Sequence, residues 1–189
     1  SVCLDLGLKG TVLLAPEGLN FFVAGPVSSI DGFVEFLERD ERFAGIDLKR
    51  SLTDYQPFNR LNIRKKKEII SVGLDHIRPA DATGARISPQ AFKAMLDNGE
   101  FVHVLDTRND YEMRIGTFEN AISLDLPTFR DFPEAVANLP RSMKDEPVVM
   151  FCTGGIRCEK ASAIMMEAGF TNVKHCLLYT SPSPRDSCA

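Results

Sequence analysis

One of the five cysteines of this 189-residue chain stands where a thiol becomes a nucleophile. Cys152 follows the apolar run Val148-Val149-Met150-Phe151 and precedes Thr153-Gly154-Gly155-Ile156-Arg157-Cys158-Glu159-Lys160. A buried-type strand thus feeds a cysteine into a loop with two glycines, and Arg157 opens the helix behind it. Such a loop turns successive backbone N–H groups toward one point. The helix start adds roughly half a positive charge there, and Arg157 adds a full one. In that field a thiol ionises below its usual ~8.5, and the thiolate is the reactive form. Thr153, Gly154, Gly155, Ile156 and Arg157 are therefore read with Cys152 as one catalytic loop. The alternative, a buried packing cysteine, is disfavoured by the two glycines and the arginine.

Other residues carry two readings each. Cys158, one residue past Arg157 and near one helical turn from the loop, is either a second thiol that exchanges with Cys152 or a small packing residue. Asp106 and Arg108 follow another apolar strand. They either orient the site through charge-assisted hydrogen bonds or form a structural ion pair, and Glu112 shares both readings. Arg60, Arg64, Lys65, Lys66 and Lys67 make a basic cluster in a chain of formal net charge −4. On a strand, alternation points Arg64 and Lys66 one way and Lys65 and Lys67 the other. The cluster is either a lysine-guarded sheet edge or a patch that tracks the phosphates of RNA, with Tyr55 and Phe58 close enough in sequence to stack on an unpaired base. His76, His103 and His175 show no metal-ligand spacing, and no nucleotide fingerprint, HExxH pattern or Ser/His/Asp arrangement stands out, so no cofactor is identified.

The elements that must position these residues fall into two groups. Strand-like segments at 11–15 and 20–24 flank the turn Pro16-Glu17-Gly18-Leu19. A helix follows, capped by Ser28 or Ser29, with Ile30, Phe33, Val34 and Leu37 at i, i+3, i+4 and i+7. Residues 46–54 and 62–72 read as two more strands. The order β-β-α-β-β, with an earlier β-α unit expected before Ser1, predicts a ferredoxin-like (split βαβ, acylphosphatase-like) sandwich over residues 1–72, truncated at its start. Residues 73–87, with Gly73, Pro79, Asp81 and Gly84, read as a linker. Ser88-Pro89 then supplies N-cap and N1 of a helix reaching Asp97. A strand Phe101–Leu105, a short helix near Asn109–Arg114, a strand Ala121–Leu124, a helix from Pro133 to Leu139, a strand at 147–151 and a helix at 157–168 complete the pattern. Ala161, Ile164, Met165 and Ala168 form the last helix's apolar stripe. The alternation predicts a parallel α/β sheet whose site lies beyond the carboxyl ends of its strands, where Asp106 and Cys152 both fall.

Hydrophobic content of 44% with 25% charged residues supports an ordinary core. The net charge argues against nucleic-acid binding by the whole surface and leaves room for a local basic patch. Cys3, Cys152, Cys158, Cys176 and Cys188 follow no disulfide framework, and the five residues between Cys152 and Cys158 match no common zinc pattern. A reducing cytoplasm is the expected compartment. No stretch approaches the ~18 apolar residues of a membrane span, so no membrane partner is expected. The segment 176–189, rich in Ser and Pro, departs from everything before it. It resembles a translated sequencing-adapter read-through and is set aside as an artefactual tail, a disordered tail being the alternative.

A family resemblance adds to these readings. Val104-Leu105-Asp106-Thr107-Arg108, Tyr111-Glu112, Gly116 and Ala121-Ile122-Ser123-Leu124 resemble the first signature of the rhodanese domain, and Cys152–Arg157 resembles that fold's active-site loop. Joined by Ala15-Pro16-Glu17-Gly18-Leu19-Asn20, Arg64-Lys65-Lys66-Lys67-Glu68-Ile69-Ile70, Phe129-Arg130-Asp131-Phe132-Pro133 and the run through Lys160, they resemble the bacterial rhodanese-containing tRNA uridine hydroxylases over residues 5–175. The resemblance implies a rhodanese-like domain at 88–175 and oxygen-dependent formation of 5-hydroxyuridine at the tRNA wobble position. The anticodon region of tRNA is then the partner and molecular oxygen the co-substrate. Cys152 aligns with the cysteine expected to carry a persulfide. Its Cys-x4-Arg loop is one residue shorter than the Cys-x5-Arg loop of cysteine phosphatases, and the smaller ring of N–H groups suits one extra sulfur better than a phosphate. The competing functions are a rhodanese-type sulfurtransferase that passes a persulfide sulfur to a thiol or cyanide, and a noncatalytic binding module.

Overall fold

The computed structural model describes residues 2–46 and 48–177. Its contacts divide the chain into two units, Ser1–Ile69 and Ile70–Ala189.

The first unit runs α1 (Val2–Asp5), β1 (Lys9–Ala15), β2 (Gly18–Ala24), α2 (Val27–Glu38) and β3 (Leu61–Lys65). β1 is central, antiparallel to β2 across the Pro16-Glu17 turn and parallel to β3. Gly10 is required inside β1: at φ +134 its Cβ would stand 2.0 Å from the Phe22 carbonyl oxygen. The apolar stripe of α2 behaves as its spacing predicts. Phe33 and Leu37 are buried against Cys3, Leu8 and Val12, and Phe33 meets Phe21 edge to face at 5.2 Å. The cap differs, because Pro26 takes the N-cap position, its carbonyl accepting the N–H groups of Ser29 and Ile30, and no side chain caps the helix.

Two expected strands are corrected. Among the described residues, 46–54 form no strand, and Leu52 and Tyr55 are 91% and 70% exposed. The segment has β-like composition but no ladder partner there, and a strand gains its stability from its neighbours. The strand expected over 62–72 ends at Lys65. Lys66 still donates its N–H to the Leu14 carbonyl, after which the chain leaves the sheet. Val72, in the expected strand's last position, is buried in the other unit's core.

The second unit contains β4 (Ala85–Arg86), α3 (Pro89–Asp97), β5 (His103–Asp106), α4 (Asp110–Met113), β6 (Ile122–Ser123), α5 (Phe132–Ala137), β7 (Val148–Cys152), α6 (Ile156–Glu167) and β8 (Val173–Leu177). The sheet is all parallel in the order β4-β8-β7-β5-β6, as the strand–helix alternation predicts. Ser88 caps α3 by accepting the Ala91 N–H at 3.2 Å, with Pro89 next to it. All five residues of β7 are buried, since the core covers both faces. Alternation sorts them: Val148, Met150 and Cys152 pack in the cluster with Ala161, Ile164 and Met165 of α6. Val149 and Phe151 pack with Phe92, Val104 and Cys176 on the other side.

The segment 73–87, read as a linker, holds Ile77 buried in this core and closes with the edge strand β4. β8 corrects the other end. It runs through Cys176 and Leu177, and Cys176 is fully buried inside the sheet, so the set-aside tail begins within a strand. The rest of that tail, 178–189, lies outside the described residues. Among the described residues no helix is long and apolar enough to cross a membrane.

Candidate active site

β7 delivers Cys152 to the carboxyl edge of the sheet, and residues 153–155 turn the chain into α6. Gly155 does the turning. Its φ is +84, and a Cβ there would meet Leu177 Cδ2 at 2.2 Å, so conformation and space both demand glycine. The turn aims the Gly155 N–H at Cys152 Sγ, 3.1 Å away. Cys158 stands near the same sulfur and acts on it. The Cys158 thiol has the largest effect on Cys152. Burial opposes it, and the N–H of Cys158, the Arg157 charge and the Gly155 N–H add to it, bringing the Cys152 thiol down to about 7. Cys158 moves the other way, pushed well up by full burial and by the negative sulfur beside it. It therefore keeps its proton. Thr107 braces this second thiol: its hydroxyl donates to the Phe151 carbonyl at 2.9 Å, and its oxygen lies 3.5 Å from Cys158 Sγ.

Arg157 is clamped. Its two terminal nitrogens donate to the two oxygens of Glu112 at 2.5 and 2.7 Å, a fork-to-fork pair with side chains 14% and 16% exposed. Thr153 joins by donating its hydroxyl to Glu112 at 2.8 Å and accepting from Arg157 at 3.3 Å, and the Asn109 N–H adds a bond at 3.1 Å. Arg157 first, then Thr153 and Asn109, hold the Glu112 carboxyl down to about 2 against the effect of burial. The loop after β7 is thus tied to α4 through one charged pair, which fixes the guanidinium within electrostatic reach of the sulfur.

Residues 1–69 match the UPF0176 acylphosphatase like domain, and residues 88–176 match the Rhodanese-like domain. The chain is similar to proteins named tRNA uridine(34) hydroxylase. That of Cupriavidus necator is 49% identical over 90% of this chain and 62% of its own length. That of Ralstonia nicotianae is 47% identical over the same shares. The chain therefore spans about 62% of the length of these curated relatives. Among solved structures, a single domain sulfurtransferase of Saccharomyces cerevisiae gives a TM-score of 0.42 at 12% identity, covering 52% of this chain and 89% of that one.

Within the rhodanese-like domain, the loop residues Thr153, Gly154, Gly155, Ile156 and Arg157 and the thiol of Cys158 surround Cys152 as a local unit. Asp106 and Arg108 do something else. Arg108 donates to both Asp106 oxygens at 2.9 and 2.7 Å and to the Gly116 carbonyl at 2.6 Å, and Thr117 donates to Asp106 at 2.8 Å. This buried pair fastens the end of β5 to the loop before β6, with Arg108 stacked 5.3 Å over the Phe151 ring. Those bonds fit the structural of the two readings. Thr107, as the Cys158 brace, is missing from the sequence-derived set, whereas Glu112, which carried both readings in the sequence, is the partner of Arg157. The signal for Glu112 was its place in the Asp-Thr-Arg-Asn-Asp-Tyr-Glu stretch, and for Thr107 its place just past the strand end.

The basic cluster lies in the first unit, among the residues that match the UPF0176 acylphosphatase like domain. Arg60, Arg64, Lys65, Lys66 and Lys67 are all exposed, and Arg64 and Lys65 sit on the edge strand β3. Both are open to solvent although alternation sends them to opposite faces. Tyr55 is exposed nearby in sequence, and Phe58 is half-buried. His103 and His76 pair with Glu146 and Glu167 at 2.6 and 3.0 Å. His175 is buried in β8, where burial and the Arg86 charge lower its pKa. Among the described residues no group of three or more His, Cys, Asp or Glu is placed to hold a metal ion.

Proposed function

We propose that the protein hydroxylates the wobble uridine of tRNA to 5-hydroxyuridine in the cytoplasm, with molecular oxygen as co-substrate and Cys152 as its catalytic residue. The supporting observation is an intact thiolate cradle, with Gly155 N–H 3.1 Å from the sulfur, in a chain 49% identical to relatives named for uridine 34. Cys152 supplies a soft nucleophile that is half ionised near pH 7. Gly155, Cys158 and Arg157 stabilise negative charge on that sulfur or on a second sulfur bound to it, and Thr153, Gly154 and Ile156 shape the loop. Glu112 positions Arg157. The exposed cluster Arg60, Arg64, Lys65, Lys66 and Lys67 binds phosphates of the anticodon arm, supplying affinity without reading sequence.

The test is the full chain incubated with an unmodified tRNA transcript under isotope-labelled dioxygen, followed by mass spectrometry of the nucleosides. One labelled oxygen on uridine at position 34, absent with Cys152→Ser, is the expected result. Hydroxylation that persists in Cys152→Ser removes the catalytic assignment. The four-residue spacing between Cys152 and Arg157, compact enough for a persulfide, is the observation that favours a sulfurtransferase instead. Brisk thiosulfate-dependent turnover without RNA, and no labelled uridine with it, would establish that reading.

A further inference from the structure

One face of the first unit's sheet packs on α2: Val12, Leu14, Phe21, Val23 and Leu61 gather in the cluster with Phe33 and Leu37. Alternation sends the intervening residues of all three strands to the other face. The register lays them out in rows. Phe22 of β2, Thr11 of β1 and Asn62 of β3 stand side by side, and Asn20, Leu13 and Arg64 form the next row. We propose that this face binds single-stranded RNA, with an unpaired base stacked on Phe22. The proposal deepens the tRNA reading above and rests on it for the source of the strand, the unpaired nucleotides of the anticodon loop.

Phe22 is 55% exposed, while its neighbour Phe21 meets Phe33 in the core. A single exposed ring needs no function. This one stands on a face of selected charge. Lys9 lies on the same alternation of β1 and Arg64 on that of β3, both exposed, and the face positions of the three strands hold no Asp or Glu. In a chain with 26 acidic and 22 basic residues, that selection suits a polyanion.

Arg64 Nε donates to Asn62 Oδ1 at 3.2 Å, so the two share the face in fact as well as in alternation. Arginine only donates, which commits the Asn62 oxygen to it and leaves the amide NH2 to donate to a base carbonyl. Neighbouring strands lie ~4.8 Å apart, so Phe22 and Asn62 are separated by about 10 Å. A base stacked on the ring therefore lies beside amide donors, with the Arg64 charge close to its phosphate. Gln56 donates its side-chain amide to the Ala24 carbonyl at 3.3 Å, which holds the segment with the exposed Tyr55 at the end of β2, two residues past Phe22. Tyr55 offers a second ring for a neighbouring base. Rings and cations presented together on a sheet are a general means of holding unpaired RNA, because stacking tolerates any base and the cations follow the phosphates.

The experiment uses the full chain and two labelled RNAs, an anticodon stem-loop and a fully paired duplex of equal charge. Fluorescence anisotropy over a salt series reads both affinities. Phe22→Ser should weaken stem-loop binding at least about fivefold, leaving duplex binding and the salt slope as in the wild type, since the ring carries no charge. The chain contains no tryptophan, so Phe22→Trp puts its only indole on this face. That variant should keep wild-type affinity and lose fluorescence on adding the stem-loop but not the duplex. Unchanged stem-loop affinity in Phe22→Ser, or indole emission that ignores the stem-loop, overturns the platform. So does a change of sedimentation mass in Phe22→Ser without a change in RNA affinity, which would make the face a contact between copies of this chain. Nucleoside mass spectrometry of tRNA treated with the same proteins keeps the two readings apart. Phe22-dependent binding with no hydroxyuridine from the wild type supports the platform and removes the hydroxylase reading, whereas hydroxyuridine with unchanged binding in Phe22→Ser does the reverse.

Discussion

At the scale of single residues, Cys152 owes its reactivity to its neighbours more than to its own exposure, which is nil. Desolvation alone would raise the thiol, so the lowering to about 7 measures how strongly the Cys158, Gly155 and Arg157 contacts act. A titration of ultraviolet thiolate absorbance should therefore show a midpoint near pH 7, the thiolate growing as pH rises through it. In Cys158→Ala, which loses the largest of these contacts, the midpoint should move upward toward the free-thiol value of ~8.5. Glu112→Gln tests the clamp. It leaves the Arg157 charge half-buried without its partner, so denaturant unfolding should report a loss of about 3 kcal/mol. The acid dependence has a definite sign. The native carboxyl titrates near 2, below its unfolded value of ~4.3, so its stabilisation is complete above that higher value. It is lost as pH falls toward 2, and the Gln variant should lack that acid-dependent part. The loop was legible in the sequence because Cys152, the glycines and Arg157 are contiguous. The clamp was not, because Glu112 and Arg157 stand 45 residues apart and only the sheet brings them together.

At the scale of elements, the two glycines of the loop are not equivalent. Gly155→Ala forces a side chain into the left-handed region and against Leu177, and should cost about 2 kcal/mol or more by thermal or denaturant unfolding while displacing the N–H from the sulfur. At Gly154 nothing lies within 4 Å of the Cβ position, and Gly154→Ala should leave stability nearly unchanged. Strands and helices with local signals, such as β7, α3 with its Ser88 cap and the stripe of α2, read correctly from periodicity. Residues 46–54 did not, since the composition of a strand says nothing about whether a partner lies alongside. The two-residue strand β4 was hidden in a linker-like stretch for the complementary reason: its pairing with β8 is its only strand-like property. On β3, charge reversal at Lys65 and Lys66 should weaken tRNA binding and flatten its dependence on salt, without moving the Cys152 titration. Filter binding across a salt series reads both quantities, and unchanged affinity would remove the strand from the RNA interface.

At the scale of the whole molecule, the chain divides its labour between two units. One presents an open basic edge, and the other builds a buried thiolate from a strand end, a glycine turn and a helix start. The rhodanese-like sheet explains why the chemistry sits where it does, since β7 lies at its centre with covered faces and only its carboxyl end leads out of the core. Both domain types were visible in the order of periodic segments, whereas β8 was missed, its residues lying where the composition changes at Cys176. The central claim joins the buried sulfur to the base at position 34. It is tested most directly in cells deleted for the gene and complemented with the full chain or its Cys152→Ser version at equal protein level. Mass spectrometry of their tRNA should find wobble 5-hydroxyuridine restored by the wild-type chain and absent with Cys152→Ser. Equal hydroxyuridine from both would contradict the account.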